Sequence, residues 1–145
     1  MKHLVLAAAF AALTTPVFAQ GTPAPDGAEV YIVNLEDGAT VTSPVKVVFG
    51  LSGMGVAPAG VEKENTGHHH LLLNRPPLGE GEEGSEELEY GLPADDNHIH
   101  FGGGQTQVTL DLPAGQHTMQ LVMGDLNHVP HATPIASEVI TITVE

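Results

Sequence analysis

The sequence predicts an all-β domain, specifically an antiparallel immunoglobulin-like β-sandwich of about seven strands. Short runs of alternating apolar and polar side chains are separated by turns, and the chain has 17 glycines and 11 prolines to form them. No segment after the amino-terminal region shows a helical period of useful length. A strand with one face in a core has a period of two, and packing two such sheets together buries both apolar faces.

The strands follow one another at short intervals. Val30 and Ile32 alternate with their neighbours in the first strand, which ends at a turn at 36–38. Val47 and Phe49 share a face of the second strand. In the last, Ile142 alternates with threonines. Together the patterns predict strands at 30–35, 45–51, 71–74, 98–101, 107–112, 118–124 and 138–144.

The chain divides into a leader and one domain. Lys2 precedes an apolar stretch from Leu4 to Leu13, and small residues precede Gln20. This pattern predicts a signal peptide at 1–19, cleaved after Ala19, so we expect a periplasmic or secreted protein. The apolar stretch is shorter than the roughly 20 residues of a membrane span. Residues 20–27 are interpreted as a flexible leader and 28–145 as a single sandwich domain.

Composition limits the partners. The formal net charge of −14 disfavours nucleic acid and anionic membrane surfaces, and favours a metal ion or a basic patch on a periplasmic or envelope protein. Solubility alone is an alternative reason for this acidity. The chain has no cysteine, so neither disulfides nor thiolate ligands are available.

The segment 78–96, LGEGEEGSEELEYGLPADD, is rich in acidic residues and poor in apolar ones. It is interpreted as a mobile, solvated acidic loop within the sandwich domain. A calcium site is an alternative, although the ligand spacing of an EF-hand is absent. The loop would also concentrate cations near the histidines that flank it.

Eight of the nine histidines lie between positions 68 and 131, in tight groups. Neutral imidazole is the commonest protein metal ligand, and histidines two apart on a strand point the same way. If Leu71 points into the core, His69 does too, whereas His68 and His70 point outward together. The candidate ligands are His68, His70, His98, His100, His128 and His131, followed by His69, His117 and Asp125.

Structural interpretations of these residues remain open. His117 follows a turn, and a hydrogen bond to a backbone carbonyl is favoured over ligation. His128 and His131 would cap a loop whose amides Asp125 and Asn127 satisfy. A pH-responsive histidine cluster without metal is a further alternative. If a metal binds, imidazole ligands without thiolates favour zinc or copper. Met54, Met119 and Met123 offer thioether ligands for copper(I), but core packing is favoured for Met119 and Met123.

Four runs carry a family resemblance: TGHHHLLLN, DDNHIHFGGGQT, LDLPAGQHTMQLVMGDLNHVPH and SEVITITV. Together they resemble an uncharacterised family of exported bacterial domains, domain of unknown function forty-three ninety-nine, over roughly Val30 to Val144. The resemblance implies a small exported β-rich domain and supplies no activity. The positions that mark the family are His68, His69, His70, His98, His100, Gly102, Gly104, Gln105, Thr106, Gly115, His117, Asp125, His128 and His131. The acidic segment is longer than the connection usual in that family.

Cupins are a weaker likeness, because Gln105 replaces their acidic ligand and Pro113-x-Gly115-x-His117 is one residue short.

Three functional hypotheses follow. The first is an exported histidine-rich protein that buffers or carries copper or zinc. The second is an immunoglobulin-like envelope interaction module with structural histidines. The third is a metal-dependent hydrolase or cupin-like enzyme with an open water-bearing position on the metal. An enzyme is the less favoured interpretation, because neither a nucleophile motif nor a phosphate-binding loop is present.

Overall fold

The computed structural model describes residues 21–145, so the predicted signal peptide at 1–19 lies outside the described residues. Within the described part, no helix is long and apolar enough to cross a membrane. The elements are β1 (Glu29–Ile32), β2 (Thr40–Val41), β3 (Val45–Ser52), β4 (Gly55–Val56), β5 (Thr66–Leu73), α1 (Gly81–Tyr90), β6 (His98–His100), β7 (Gln107–Leu110), β8 (Gly115–Gly124) and β9 (Ile140–Val144).

Two sheets form, and they confirm the prediction of an all-β sandwich. The smaller has the order β1-β3-β7, and the larger has the order β2-β9-β8-β5-β4 with β6 also paired to β5. Most pairings are antiparallel, while β2–β9 and β4–β5 are parallel. Each of the seven predicted strands has a counterpart, and the two-residue strands β2 and β4 are additional.

The apolar core lies between the two sheets. Val47 and Phe49 from β3 and Leu71, Leu121 and Ile142 from the larger sheet are all buried in one cluster. The alternating apolar side chains of β3 and β9 therefore form the strand faces that pack in the core, because every second side chain is buried away from water. Met119 and Met123 belong to the same cluster, which confirms the packing role favoured for these two thioethers.

The acidic segment is where the sequence-based interpretation is wrong. A loop was expected throughout 78–96, but Gly81–Tyr90 is an α-helix. Glu82 and Glu83 lie in its first turn, where negative charge complements the helix dipole, and the chain leaves the helix at Gly91 with φ 97°. Apolar alternation cannot reveal such a helix, because it has almost no apolar side chains to bury.

This segment covers the outer face of the larger sheet. Leu92, with Leu78 partly buried beside it, packs on Leu72 and Val122 in a second apolar cluster. The backbone amide of Leu78 also donates to Gln120 Oε1 at 2.9 Å. The larger sheet is therefore buried on both faces in this region, and side chains of β5 that point away from the main core are still removed from water.

Candidate metal centre

Four histidines meet on the covered face of the larger sheet. Each of His68, His70, His100 and His128 offers one ring nitrogen to a group in which all four atoms lie within 4.8 Å of one another. Two of the separations are short: His70 Nε2 is 3.0 Å from His68 Nε2, and His68 Nε2 is 3.1 Å from His128 Nδ1. We call these four residues the histidine cluster.

Strand pairing positions three members of the cluster. His68 and His70 are two apart on β5, so their rings share a face, and their ring centroids are 4.9 Å apart. The antiparallel pairing of β5 with β6 places His100 opposite His70. The expected alignment of two H-x-H pairs on neighbouring strands is therefore present. Backbone hydrogen bonding holds the directions of these three side chains.

His68 and His70 do not point into solvent, which corrects the expectation that they face outward. They are 1% and 0% exposed. They lie on the face opposite the main core, as the alternation of the strand predicted. Leu92 and the rest of the acidic segment 78–96, however, cover that face. Strand periodicity assigns a side chain to a face and cannot show whether another element covers it.

The fourth member comes from a loop. His128 has φ 63°, a left-handed conformation uncommon outside glycine. Asp125 shapes this loop, because its Oδ1 accepts hydrogen bonds from the backbone amides of Asn127 and Val129 at 2.8 and 3.0 Å. The carbonyl oxygen of His128 accepts from the amide of Leu92 at 2.7 Å. These bonds hold the His128 ring against the sheet.

Two glycines give the imidazoles room. A Cβ atom on Gly124 of β8 would lie 2.8 Å from His70 Nε2. A Cβ on Gly102, just after β6, would lie 2.7 Å from His100 Nε2. Both contacts are closer than real Cβ atoms make, so any larger residue would force the neighbouring ring to move. The positions of these glycines are therefore part of the site.

Burial favours the neutral form of three of the four histidines. It lowers the pKa of His68 to about 4 and that of His70 to about 2, and in each case neighbouring histidines lower the pKa further. The pKa of His100 is lowered by the same causes. Neutral imidazole is the form that binds metals, so this environment keeps these ring nitrogens available at neutral pH.

Several other predicted candidates lie outside the cluster. His69 points into the main core, with its ring centroid 5.1 Å from that of Phe49. His131 Nδ1 contacts Thr22 Oγ1 at 3.0 Å. Asp125 accepts backbone amides in the loop described above, which is the role expected of it if that loop is structural.

His117 makes the contact that the sequence favoured. Its Nε2 donates to the carbonyl oxygen of Pro113 at 2.8 Å, and its Nδ1 accepts from Asn74 Nδ2 at 2.9 Å. Both ring nitrogens are therefore used in a strand corner at a distance from the cluster.

His98 adjoins the cluster without being one of its four members. It is fully buried, and its Nε2 lies 3.1 Å from His70 Nδ1. Its Nδ1 lies 2.9 Å from Glu87 Oε1. Both ring nitrogens of His98 are thus engaged with side chains, and His98 lies beside the four histidines whose nitrogens converge.

Two residues near the cluster, Glu87 and Arg75, were not among the candidates from the sequence. Glu87 is 3% exposed although it belongs to an acidic helix, and Arg75 Nη2 lies 2.5 Å from its Oε1. One signal was available, because Glu83 and Glu87 are four apart and both approach Arg75, as expected for one face of a helix. Because the chain has only four lysines and arginines, the arginine two positions after β5 also indicated a nearby acidic side chain.

The arrangement can hold a metal ion. Tetrahedral coordination with metal–nitrogen bonds of 2.0–2.1 Å places ligand nitrogens about 3.3 Å apart. The two short separations in the histidine cluster are 3.0 and 3.1 Å and need to open by a few tenths of an ångström, whereas the wider ones, up to 4.8 Å, need to close by up to about 1.5 Å. Four protein ligands also complete a tetrahedral site, which is the pattern of metal sites without an open position for water.

The fold and the cluster define an all-β sandwich domain with a group of buried histidines able to hold a metal. Residues 47–145 match the family described as a domain of unknown function (DUF4399), and the chain belongs to that family. The match includes every histidine of the cluster and agrees with the resemblance seen in the four sequence runs. No curated protein matches the chain, and no solved structure matches it.

Proposed function

We propose that this protein is an exported metal-binding protein that buffers or carries copper or zinc in the histidine cluster. The observation that carries the proposal is the convergence of four ring nitrogens, from two strands and one loop, within 4.8 Å. Histidines that served only to fill space would have no reason to direct their nitrogens at a common point, because unpaired buried nitrogens cost free energy.

The environment of the cluster supports metal binding over a merely structural role. His100 Nε2 is buried and has no hydrogen-bond partner within residues 21–145. The ring nitrogens of His68 and His70 that face each other are 3.0 Å apart, where two lone pairs would repel unless a proton or a cation lies between them. A metal ion satisfies all of these nitrogens at once.

Buffering or carriage fits the cluster better than catalysis. Hydrolytic zinc sites use three protein ligands and leave the fourth position to water. The four imidazoles here would fill a tetrahedral ion. His100 and His128 are only partly buried, whereas His68 and His70 are enclosed. The cluster therefore has one side near solvent, through which an ion would enter and leave.

The choice of copper or zinc follows from the ligands. Four imidazoles without thiolate or carboxylate suit both ions, and the general order of affinities favours copper(II) where it is available. Met119 and Met123 lie in the core between the sheets, so thioether ligation of copper(I) is not part of the proposal. Export is proposed from the predicted signal peptide, and the mass of the protein isolated from the periplasm tests cleavage after Ala19.

The test is elemental analysis of untagged protein isolated from the periplasm without chelator, followed by calorimetric titration with Cu²⁺ and Zn²⁺. We expect one ion per chain, and loss of that ion in the double variant His100→Ala/His128→Ala. These two members are the least buried of the cluster, so their removal disturbs the fold least. His117→Ala is the matched control, because it removes a histidine that already has two hydrogen-bond partners elsewhere.

The metal content of the three proteins decides whether the histidine cluster binds the ion. Metal in the unsubstituted protein and in His117→Ala, but not in the double variant, supports the proposal and identifies the ion. Circular dichroism must show that all three proteins are folded. Protein that carries no metal and binds neither added ion would overturn the proposal.

A further inference from the structure

A buried row of polar side chains leads away from the histidine cluster. His70 Nδ1 lies 3.1 Å from His98 Nε2, and His98 Nδ1 lies 2.9 Å from Glu87 Oε1. Arg75 Nη2 contacts the same oxygen of Glu87 at 2.5 Å. His70 and His98 are 0% exposed and Glu87 is 3% exposed, so water does not compete for these contacts.

The direction of each hydrogen bond follows from which groups can donate. The carboxylate of Glu87 only accepts, so the proton of His98 lies on Nδ1 and is donated to Glu87. A neutral His98 then has a lone pair on Nε2, which must accept from His70 Nδ1. His70 therefore has its proton on Nδ1 and its lone pair on Nε2, the atom that faces His68 in the cluster.

Arg75 makes this the favoured arrangement. It contacts the oxygen of Glu87 that faces His98, so it holds this carboxylate in position as the acceptor for His98 Nδ1. If His98 Nε2 instead donated to His70 Nδ1, the proton of a neutral His70 would occupy Nε2. In that tautomer His70 could not bind a metal through the nitrogen that points into the cluster.

We infer that Arg75, Glu87 and His98 are positioning residues that fix the tautomer and orientation of His70 for metal binding. The inference rests on the proposed function, because it assigns these three residues to the support of the histidine cluster. Metal-binding histidines commonly donate their second ring nitrogen to such a partner, and loss of that partner weakens metal affinity. The acidic helix α1 therefore supports the site, because it supplies Glu87, which contacts the ring nitrogen of His98 that does not face His70.

The test removes the acceptor without leaving a buried charge. The double variant Arg75→Met/Glu87→Met replaces the ion pair by apolar side chains of similar length, a change that folded proteins commonly tolerate. Glu86→Met is the matched control, because it makes the same substitution at an exposed neighbouring position of the helix. His98→Phe is a second test, which retains a ring in the buried space and removes the acceptor for His70.

Two measurements are made on each protein. Nitrogen-15 NMR of the imidazole rings in metal-free protein reports which nitrogen of His70 carries the proton, and competition with a chelator of known affinity reports metal binding. We expect the Nδ1-protonated form of His70 in the unsubstituted protein and in Glu86→Met. In Arg75→Met/Glu87→Met and His98→Phe we expect a mixture of tautomers and an affinity lower by about ten- to a hundredfold, with one ion still bound per chain.

The result that overturns the inference is distinct from the one that overturns the proposed function. If the unsubstituted protein binds metal, and both test variants bind it with unchanged affinity and an unchanged His70 tautomer, the inference is wrong and the metal site stands. If the unsubstituted protein binds no metal, the proposed function fails, and the inference fails with it.

Discussion

His70 lies opposite His100 in the antiparallel pairing of β5 and β6, and their ring centroids are 4.9 Å apart. Residues directly opposite in such a pair have Cβ atoms about 5 Å apart, so the backbone brings the two imidazoles together without help from a ligand. Half of the cluster is therefore set by the register of one strand pair. Such a site is organised before a metal arrives, which reduces the conformational cost of binding.

Metal should stabilise the fold without being needed for it. The main core between the sheets is apolar and separate from the histidine cluster. We therefore expect metal-free protein to fold cooperatively, unlike zinc fingers. Copper or zinc at a free concentration a hundred times its Kd should add about 2.7 kcal/mol to the free energy of unfolding. Thermal denaturation followed by circular dichroism, with and without chelator, measures this. A midpoint that is unaffected by both ions would contradict the prediction.

Gly102→Ala should weaken metal binding. The added Cβ would lie 2.7 Å from His100 Nε2, so the imidazole must move away from its position in the cluster. We expect the affinity to fall by about ten- to a hundredfold, the range seen when groups that orient metal ligands are disturbed. Gly103→Ala is the control, because the atoms nearest to its added methyl belong to the side chain of exposed Gln105, at 3.0 Å. Calorimetric titration of the two variants should show the lower metal affinity only in Gly102→Ala. Equal affinities would contradict the prediction, because they would show that the added methyl does not displace the His100 ring.

Acid should destabilise the metal-free protein before the histidines protonate in the folded state. The pKa values of His68 and His69 are about 4 and that of His70 is about 2 when folded, against an ordinary value of 6.5. Below pH 6.5 the unfolded chain therefore binds protons that the folded chain does not, and stability falls as pH falls. Each such group contributes a slope of up to about 1.4 kcal/mol per pH unit, until its folded pKa is reached.

The measurement is urea denaturation of metal-free protein at several values between pH 7 and pH 4. Free energies of unfolding that stay constant over this range would contradict the prediction.

His69→Leu should leave metal binding intact and reduce the loss of stability that accompanies a fall in pH. His69 is fully buried beside Phe49, and neither of its ring nitrogens makes a hydrogen bond of good geometry in the described residues, although the backbone of Gln105 lies near the ring. An apolar side chain of similar size avoids the cost of burying unsatisfied polar atoms, so we expect stability at pH 7 to change by less than about 1.5 kcal/mol or to increase. Denaturation at pH 7 and pH 5 checks both effects, alongside metal titration. Loss of the bound ion would show that His69 has a role in the site.

A substantial part of the fold and the site could be predicted from local sequence. Alternation of apolar residues predicted the strands, because a sheet with one face in a core imposes a period of two on its sequence. The same period placed His68 and His70 on one face and His69 on the other, as observed. The contact of His117 with a backbone carbonyl also followed from its place after a turn. These features depend on residues a few positions apart.

What only the tertiary structure decided involves residues distant in sequence. Alternation could not show that α1 and Leu92 cover the outer face of the larger sheet, because the covering helix has almost no apolar pattern of its own. It could not distinguish His128, which the loop turns into the cluster, from His131, which contacts Thr22. Nor could it place Glu87 beside His98. Sequence fixes the face on which a side chain lies, whereas contact between separate segments is decided by how they pack.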